Sequence, residues 1–546
     1  MAALWTKGWR ARSWSQLQAK PEVDVLVIGG GITGTGILRE AARAGLRVLL
    51  VERVDFAAGT SSRSSKMVHG GLRYLSQYHF GLTRDSVKER ERLAQEAPGL
   101  VNAEQFMFGR YFGEKPKAWE MKIGLWLYDL VAGKRTRQYL SPQQANARVP
   151  ELTLSKLDKG YMYQDASTDD TRLVFRMVQE AAQDGGYALN RCGVERLIKR
   201  EQQVVGAVIY DQILDQRLEI NAKAVINATG VQVDALRQQV GGDKSIRPVR
   251  GSHIIVPHAR LPLKNVVSYM DPTHHNRPMF AYPWEGVTVI GTTDLDHEGD
   301  LSQDAAMSAD ELDDILSGAS RVFPGVALKR KDIICSYSGV RPIVDDGSAD
   351  SAEASRHHEV WSENGLITVT GGKLTTFRLT AIDALKKARR TLPRQQREQF
   401  PKFKSDQPIV APVDFTQPDH PALSAPLWRR LSGRYGNLAR DVVRCAQAGE
   451  LEVIPGTETC MAEVRWAARA EMVETLADLL LRRTRLGMLL PNAAEALWPQ
   501  IESICQAELG WNQVQWQQAL ADYREHYNKY YGLPAVQTAL SNAANA

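Results

Sequence analysis

Three glycines and an acid open the chemistry of this chain. Gly29, Gly31 and Gly34 stand as GxGxxG at the end of the apolar run VDVLVIG, and Glu52 follows further along. The first glycine permits a tight turn, the second lets main chain approach a pyrophosphate, and the third lets a helix pack closely on a strand. The phosphates then meet the free N–H groups and the positive dipole end of the helix N-terminus. An acid about 20 residues after the glycines accepts hydrogen bonds from an adenosine ribose and repels a 2′-phosphate. The fingerprint therefore asks for FAD or NAD and not NADP, without choosing between the first two.

The elements that must position these residues follow from the pattern. Residues 23–28 read as a buried parallel strand, 32–44 as a helix and 46–52 as a second strand, a right-handed βαβ unit. A further strand, AKAVINATG (222–230), ends in the same small residues much later, so the dinucleotide domain is discontinuous. Short strands broken by Gly and Pro fill 245–345, and a second β-rich insertion is expected at about 100–165. Seven prolines between 393 and 426 mark a linker, and AEVRWAARAEMVETLADLLLRR (462–483) has helical spacing. The expected organisation is a basic, Trp-containing tail over 1–20, a cofactor-binding domain over 21–390, a Pro-rich linker over 391–426 and a helical domain over 427–546.

At 546 residues the chain has room for two or three cores. Apolar residues make up 43 % and charged residues 24 %, ordinary globular values. Five scattered cysteines without a CxxC pair argue against an iron–sulfur or zinc site, and no metal is expected. No apolar run reaches the roughly 18 residues of a membrane span, and residues 1–20 lack the apolar core of a signal peptide. The net charge of +5 is unevenly placed. Lys7, Arg10, Arg12 and Lys20 lie in an acid-free tail with Trp5, Trp9 and Trp14, and a second basic segment runs from Lys386 to Lys404. Each is either a solvated stretch or a face for anionic lipid.

The choice of cofactor is carried by a series of motifs. TSSRSSKMVHGGLRYL (60–75), NATG (227–230), RGSHIIVP (250–257), PWEG (283–286), GTTD (291–294), YSGVRP (337–342) and GGKLTTFR (371–378) occur in this order. Together they resemble the FAD-dependent glycerol-3-phosphate dehydrogenase family of the aerobic, bacterial type, over roughly residues 22–380. The resemblance implies an α/β fold: a glutathione-reductase-like, Rossmann-type FAD domain, an inserted antiparallel substrate sheet of the D-amino-acid-oxidase type and an all-α C-terminal domain. It also implies oxidation of sn-glycerol 3-phosphate to dihydroxyacetone phosphate, with a membrane quinone as final acceptor. Departures from the family pattern are Val231-Gln232 after Ala228-Thr229-Gly230, Thr33 in place of Asn, and Arg63 within the serine run.

That reaction needs fixed cations for the phosphate, an acceptor for the hydroxyl proton, and N–H donors or positive charge at the flavin edge. Arg73 and Arg341 are the candidates for a bidentate phosphate clamp. His69 and His253 are the candidate bases, with a slight preference for His253. Lys373 sits in a turn leading to a helix N-terminus aimed at the flavin. The cofactor is expected to be held by Gly29, Gly31, Gly34, Glu52, Thr60, Ser61, Ser62, Ser65, Lys66, His69, Gly70, Gly71, Ala228, Thr229, Gly230, Gly372, Lys373, Leu374, Thr375 and Thr376. Ser61, Ser62, Ser65 and Lys66 are assigned to the pyrophosphate and ribityl chain. The basic 386–404 segment, with Arg482, Arg483 and Arg485, is expected to face anionic lipid on the inner side of the cytoplasmic membrane. Neither a nucleic-acid partner nor a metal is called for, and a homodimer is compatible. The alternatives are an oxidase of the same substrate, an amine or 2-hydroxy-acid oxidase, and a catalytically silent flavin-binding regulator.

Overall fold

The computed structural model describes residues 5–72, 80–271, 277–345 and 358–535. Strand Glu22–Ile28 pairs in parallel with Val48–Val51 on one side and Gln216–Asn227 on the other, placing Val25 opposite both Val48 and Ala224. Leu366–Gly371 and Tyr187–Leu189 extend the parallel core of an eight-stranded sheet. Valine, leucine and isoleucine run nearly unbroken along these strands because both faces are covered, and Val25, Leu26 and Val27 are fully buried. Helices Ile32–Arg43 and Phe377–Thr391 pack against each other on this layer.

A second, ten-stranded sheet takes strands from widely separated stretches. Val101–Tyr111 and Leu157–Thr168 form one long antiparallel pair, and Ile246–Pro257 and Cys335–Val344 another. The single parallel pairing in it, Val266–Asp271 with Val101–Tyr111, joins the two groups. Beyond this sheet lies a helical region from Ala425 to Tyr530.

Three expectations are corrected. The N-terminal stretch is not a solvated tail or a lipid face. Helix Trp9–Ala19 buries Trp9, Trp14 and Leu17, with Trp5 beside it, and Arg10 donates to Asp211 (2.7 Å) and Asn190 (2.7 Å to Oδ1). Trp9, Arg10, Trp14 and Leu17 share one broad buried face of this helix, Arg12, Ser15, Gln16 and Gln18 are exposed on the other, and Trp5 precedes the helix and joins the same core. Residues 462–483 do not form one helix: Met461–Ala470 ends where the Glu471 carboxylate turns inward to Arg172 (2.8 Å) and Met472 takes φ +52°, and Asp478–Arg483 is π-helical.

The third correction is the largest. Arg482, Arg483 and Arg485 are buried and face no lipid. Asp55 accepts from Arg482 Nε (2.6 Å) and from both terminal nitrogens of Arg483 (2.5 and 2.9 Å). Arg485 meets Asp169 (3.2 Å) and Asp170. A buried guanidinium demands a carboxylate; Asp478 serves Arg482 from four positions away, and Asp55, Asp169 and Asp170 come from the cofactor domain more than 300 positions away. The two arginines hold the Asp55 carboxyl far below its ordinary 3.8 despite its burial.

The proline-rich stretch runs over the cofactor domain as a strap. Phe400, Phe403, Ile409 and Val410 are buried, and arginines hold its main chain. Arg39 donates to the Ile409 carbonyl (2.8 Å), Arg43 to Pro408 (2.7 Å), Arg92 to Gln407 (2.6 Å) and Ser405, and Arg378 to Gln407.

Candidate active site

The first strand ends at Gly29, whose φ of +112° suits only glycine, and a Cβ there would stand 2.5 Å from the Ala228 carbonyl oxygen. A Cβ on Gly34 would collide with the Gly29 carbonyl oxygen, so helix and strand approach as closely as main chain allows. Gly31 begins the helix with no side-chain cap of its own; Ser61 Oγ accepts from Ile32 N–H (2.9 Å). Glu52 ends the second strand and accepts from the Gly30 (2.7 Å) and Val54 (2.9 Å) N–H groups. Burial raises its carboxyl above 4.5 against the opposing pull of those two donors.

Gly29, Gly30, Gly31, Ile32, Glu52 and Ser61 line a cavity of about 930 Å³ together with Thr60, Ala228, Thr229 and Gly230. A second cavity of about 760 Å³ lies under the ten-stranded sheet. Thr60, Arg63, Ser64, Gly372, Lys373 and Leu374 border both, so one elongated space runs from the glycine cradle into the sheet domain. The glycine cradle, the uncapped helix start and the half-buried acid in a space of this length fit a dinucleotide with its ring end at the junction.

The second cavity gathers His69, Gly71, Ser65, His253, Arg341 and Thr375. His253 lies on strand Ile246–Pro257, stacked on Tyr337 from the neighbouring strand with centroids 4.8 Å apart. Its Nε2 shares a hydrogen bond with Ser65 Oγ (2.9 Å), and its buried Nδ1 has no hydrogen-bond partner among the described residues. Burial, then the charges of Lys66 and Arg341, hold the ring well below its ordinary 6.5, so it is neutral throughout the working range. Arg341 is aimed by Asp294 (Nη1 to Oδ1, 2.7 Å) and Thr292 (Nη2 to Oγ1, 3.1 Å). Gly371 and Gly372, at φ +73° and +76°, turn the last parallel strand toward helix Phe377–Thr391, and Lys373 projects from that turn. Thr375 Oγ1 donates to the His69 carbonyl (3.0 Å) and ties this turn to the histidine loop.

Five predicted residues stand behind the walls instead of in them. Gly34 and Gly70 are packing positions, Gly70 donating to Asp165 (2.9 Å) where a Cβ would strike Tyr128. Ser62 and Thr376 are buried and line neither cavity among the described residues. Lys66 is fully buried over the faces of Trp284 and Tyr337, beside Asp170 (3.4 Å), and lines neither cavity. Burial pushes its ammonium down to about 8. Ser65 borders the sheet-domain cavity, as partner of His253. Arg73 lies outside the described residues. Sequence reasoning missed Thr292 and Asp294 as the residues that aim Arg341, although both stand in the GTTD motif. It also passed over Arg63, which borders both cavities and pairs with Asp304.

Comparison with known proteins decides what this arrangement belongs to. The FAD dependent oxidoreductase family matches residues 24–378, and the C-terminal domain of alpha-glycerophosphate oxidase matches residues 387–516. The aerobic glycerol-3-phosphate dehydrogenase of Staphylococcus haemolyticus (strain JCSC1435) is 31 % identical over 484 residues, 85 % of this chain and 86 % of that protein. The chain belongs to the FAD-dependent glycerol-3-phosphate dehydrogenase family. The same enzyme of Staphylococcus aureus (strain USA300) is 30 % identical over 486 residues, again 85 % and 86 % of the two chains. Among solved structures, the glycerol-3-phosphate dehydrogenase from Bacillus halodurans complexed with FAD superposes with a TM-score of 0.74 at 27 % identity, over 98 % of this chain and 99 % of that one. The FAD-bound L-alpha-glycerophosphate oxidase from Mycoplasma pneumoniae shares the fold, with a TM-score of 0.56 at 17 % identity over 71 % and 98 % of the two chains. As a member of this dehydrogenase family the chain is a flavoprotein and an oxidoreductase, and its cofactor is FAD. The glycine cradle, Glu52, Thr60 and Ser61 line the larger cavity, and the Gly371–Leu374 turn stands where the two cavities meet.

Proposed function

We propose that the chain oxidises sn-glycerol 3-phosphate to dihydroxyacetone phosphate. The observation that carries this is the cation-bearing second cavity, which meets the cofactor cavity at Lys373 and holds Arg341 and His253 on one wall. Bound FAD supplies the two-electron acceptor. Arg341, kept in orientation by Asp294 and Thr292, meets the substrate phosphate with parallel N–H donors, and Arg73 is its proposed companion. Lys373 adds positive charge at the junction. His253 takes the hydroxyl proton: a phosphate on Arg341 offsets part of the positive field that depresses the imidazole, so the base strengthens when substrate is in place. His69 orients the substrate from the opposite loop. If His253→Asn lowers kcat and removes its fall on the acid side while His69→Asn mainly raises KM, these roles stand; the reverse pattern exchanges them.

The first experiment is anaerobic mixing of the yellow protein with glycerol 3-phosphate, glycerol and lactate in turn, following flavin absorbance. Bleaching by glycerol 3-phosphate alone is expected. Bleaching by lactate, or by none of them, overturns the reading.

For the final acceptor we propose a membrane quinone. Helix Ala118–Ala132 supports this better than the arginines first considered. Trp119, Ile123, Trp126 and Leu130 recur at helical spacing and are 50–64 % exposed. Lys115, Lys117, Lys122, Lys134 and Arg135 are exposed around them. An apolar stripe ringed by lysines suits an anionic bilayer surface, and Trp119, Ile123 and Leu127 also line the mouth of the second cavity. No helix among the described residues is long and apolar enough to cross a membrane. Exposed Lys386, Arg390, Arg394, Arg397, Lys402 and Lys404 add a further basic face. Wild type is expected to bind anionic vesicles at low salt, and Trp119→Ser/Trp126→Ser to lose most of that binding. The competing oxidase reading, favoured by the family matched at residues 387–516, is tested by peroxide release in air against turnover on a quinone analogue.

A further inference from the structure

The larger cavity has two walls of different origin. One is the cofactor domain: the glycine cradle and Glu52, then Arg53 and Arg191–Val194 beyond the ribose position, which frame the adenosine end. The other is the C-terminal helix Gln513–Tyr530. Gln515, Gln518, Asp522 and His526 border the cavity from a single face of this helix, while Trp516, Leu520 and Tyr527 on another face are buried in the helical region. A helix with one face in a core and a polar face on a ligand cavity is built to do more than fill space.

The helix is also fastened to the ten-stranded sheet at its far end. Ser336 N–H donates to the Tyr531 carbonyl (2.9 Å) and Ser336 Oγ to Gly532 (2.9 Å), next to the Tyr337 that stacks on His253. Lys529 Nζ (3.1 Å) and Tyr530 OH (3.3 Å) both donate to Gln303 Oε1. Residues 301–305 line the same cavity and bridge back across it, Gln232 donating to the Leu301 carbonyl. Asp304 pairs with Arg63 from the serine loop and stands 3.6 Å from His526 Nε2. The family match to the C-terminal domain ends at residue 516, so Gln518, Asp522 and His526 lie past it.

We propose that the C-terminal helix and the 301–305 loop form a clamp over the adenosine half of the cofactor cavity, so that the C-terminal domain sets how fast FAD leaves. This rests on the assignment of FAD to that cavity. The amides of Gln515 and Gln518 and the Asp522 carboxylate offer donors and acceptors to the adenine edge, and Gln303 is the latch that joins helix to loop.

The test is FAD release from the holoenzyme, followed by the rise in flavin fluorescence on dilution. Four proteins are compared: wild type, Gln303→Ala, Gln518→Ala/Asp522→Ala and the control Gln517→Ala, whose side chain is exposed on the same helix and does not border the cavity. Removing two polar contacts or the latch is expected to speed release about tenfold. Gln517→Ala should match wild type, and far-UV circular dichroism should not change in any variant. Equal release rates in all four proteins overturn the clamp while leaving the FAD assignment intact. A wild-type protein that takes up no FAD overturns the assignment itself.

Discussion

Two groups of cations in this molecule share a residue type and differ in what surrounds them. Arg482, Arg483 and Arg485 are enclosed by Asp55, Asp478, Asp169 and Asp170, so their charge is answered within the protein. Arg341 is steadied by Asp294 and Thr292 at a cavity wall, and Lys373 stands at the junction of two cavities. A run such as RRTR in sequence says nothing about which group it belongs to. What distinguishes them is the set of acids brought to them from elsewhere: a saturated cation joins domains, and a cation set at a cavity edge can also meet an anionic ligand.

The first way to break this contrast is at its buried end. Asp55→Ala takes the paired carboxylate from buried Arg483 and leaves Arg482 with Asp478 alone, and should cost about 3–5 kcal/mol of stability, read as a lower denaturation midpoint with FAD present. Survival of full stability would mean that these arginines are not saturated by Asp55. Lys66 tests the border between the groups, since it lies beside the active cavity yet faces Asp170. Its folded pKa, about 8, is below the ordinary 10.5. Between these values the unfolded chain holds a proton that the folded one lacks, so wild type should gain about 3 kcal/mol over Lys66→Met as pH climbs from 8 to 10.5. Below pH 8 the difference should be flat. Denaturation at stepped pH reads this directly.

At the cavity end, Arg341→Ala should raise KM for glycerol 3-phosphate roughly thirtyfold, about 2 kcal/mol, with a smaller loss in kcat and an unchanged melting temperature. A drop in stability without a change in KM would move Arg341 into the structural group. The smallest effect is expected from cations that belong to neither. Lys402→Ala and Lys404→Ala should each shift stability by less than about 0.5 kcal/mol and leave KM alone, their only signature being weaker, salt-sensitive vesicle binding.

The glycine cradle was legible in the sequence because its partners are local: strand, turn, helix and acid lie within about 30 positions, the span of one βαβ unit. The order of later motifs carried the family and, with it, His253, Arg341 and Lys373. What could not be read was any role set by a distant partner. Arg10 looked like part of a solvated tail because Asn190 and Asp211 stand 180 and 201 positions away. Lys66 sat among cofactor-binding hydroxyls in sequence but turns to Trp284, Tyr337 and Asp170 in space. The stripe on Ala118–Ala132 passed unnoticed because periodicity reports an apolar face and not whether anything covers it. The break at Glu471 was equally hidden, since a buried acid drawn to Arg172 outweighs the helical preference of the residues around it.

The strap over residues 400–411 has a consequence for how such a chain can change over generations. Arg39, Arg43, Arg92 and Arg378 grip it through main-chain carbonyls, which every amino acid possesses. Its spelling is therefore free to drift wherever a side chain is exposed. Its length is not, because one inserted residue slides each carbonyl past the arginine that holds it.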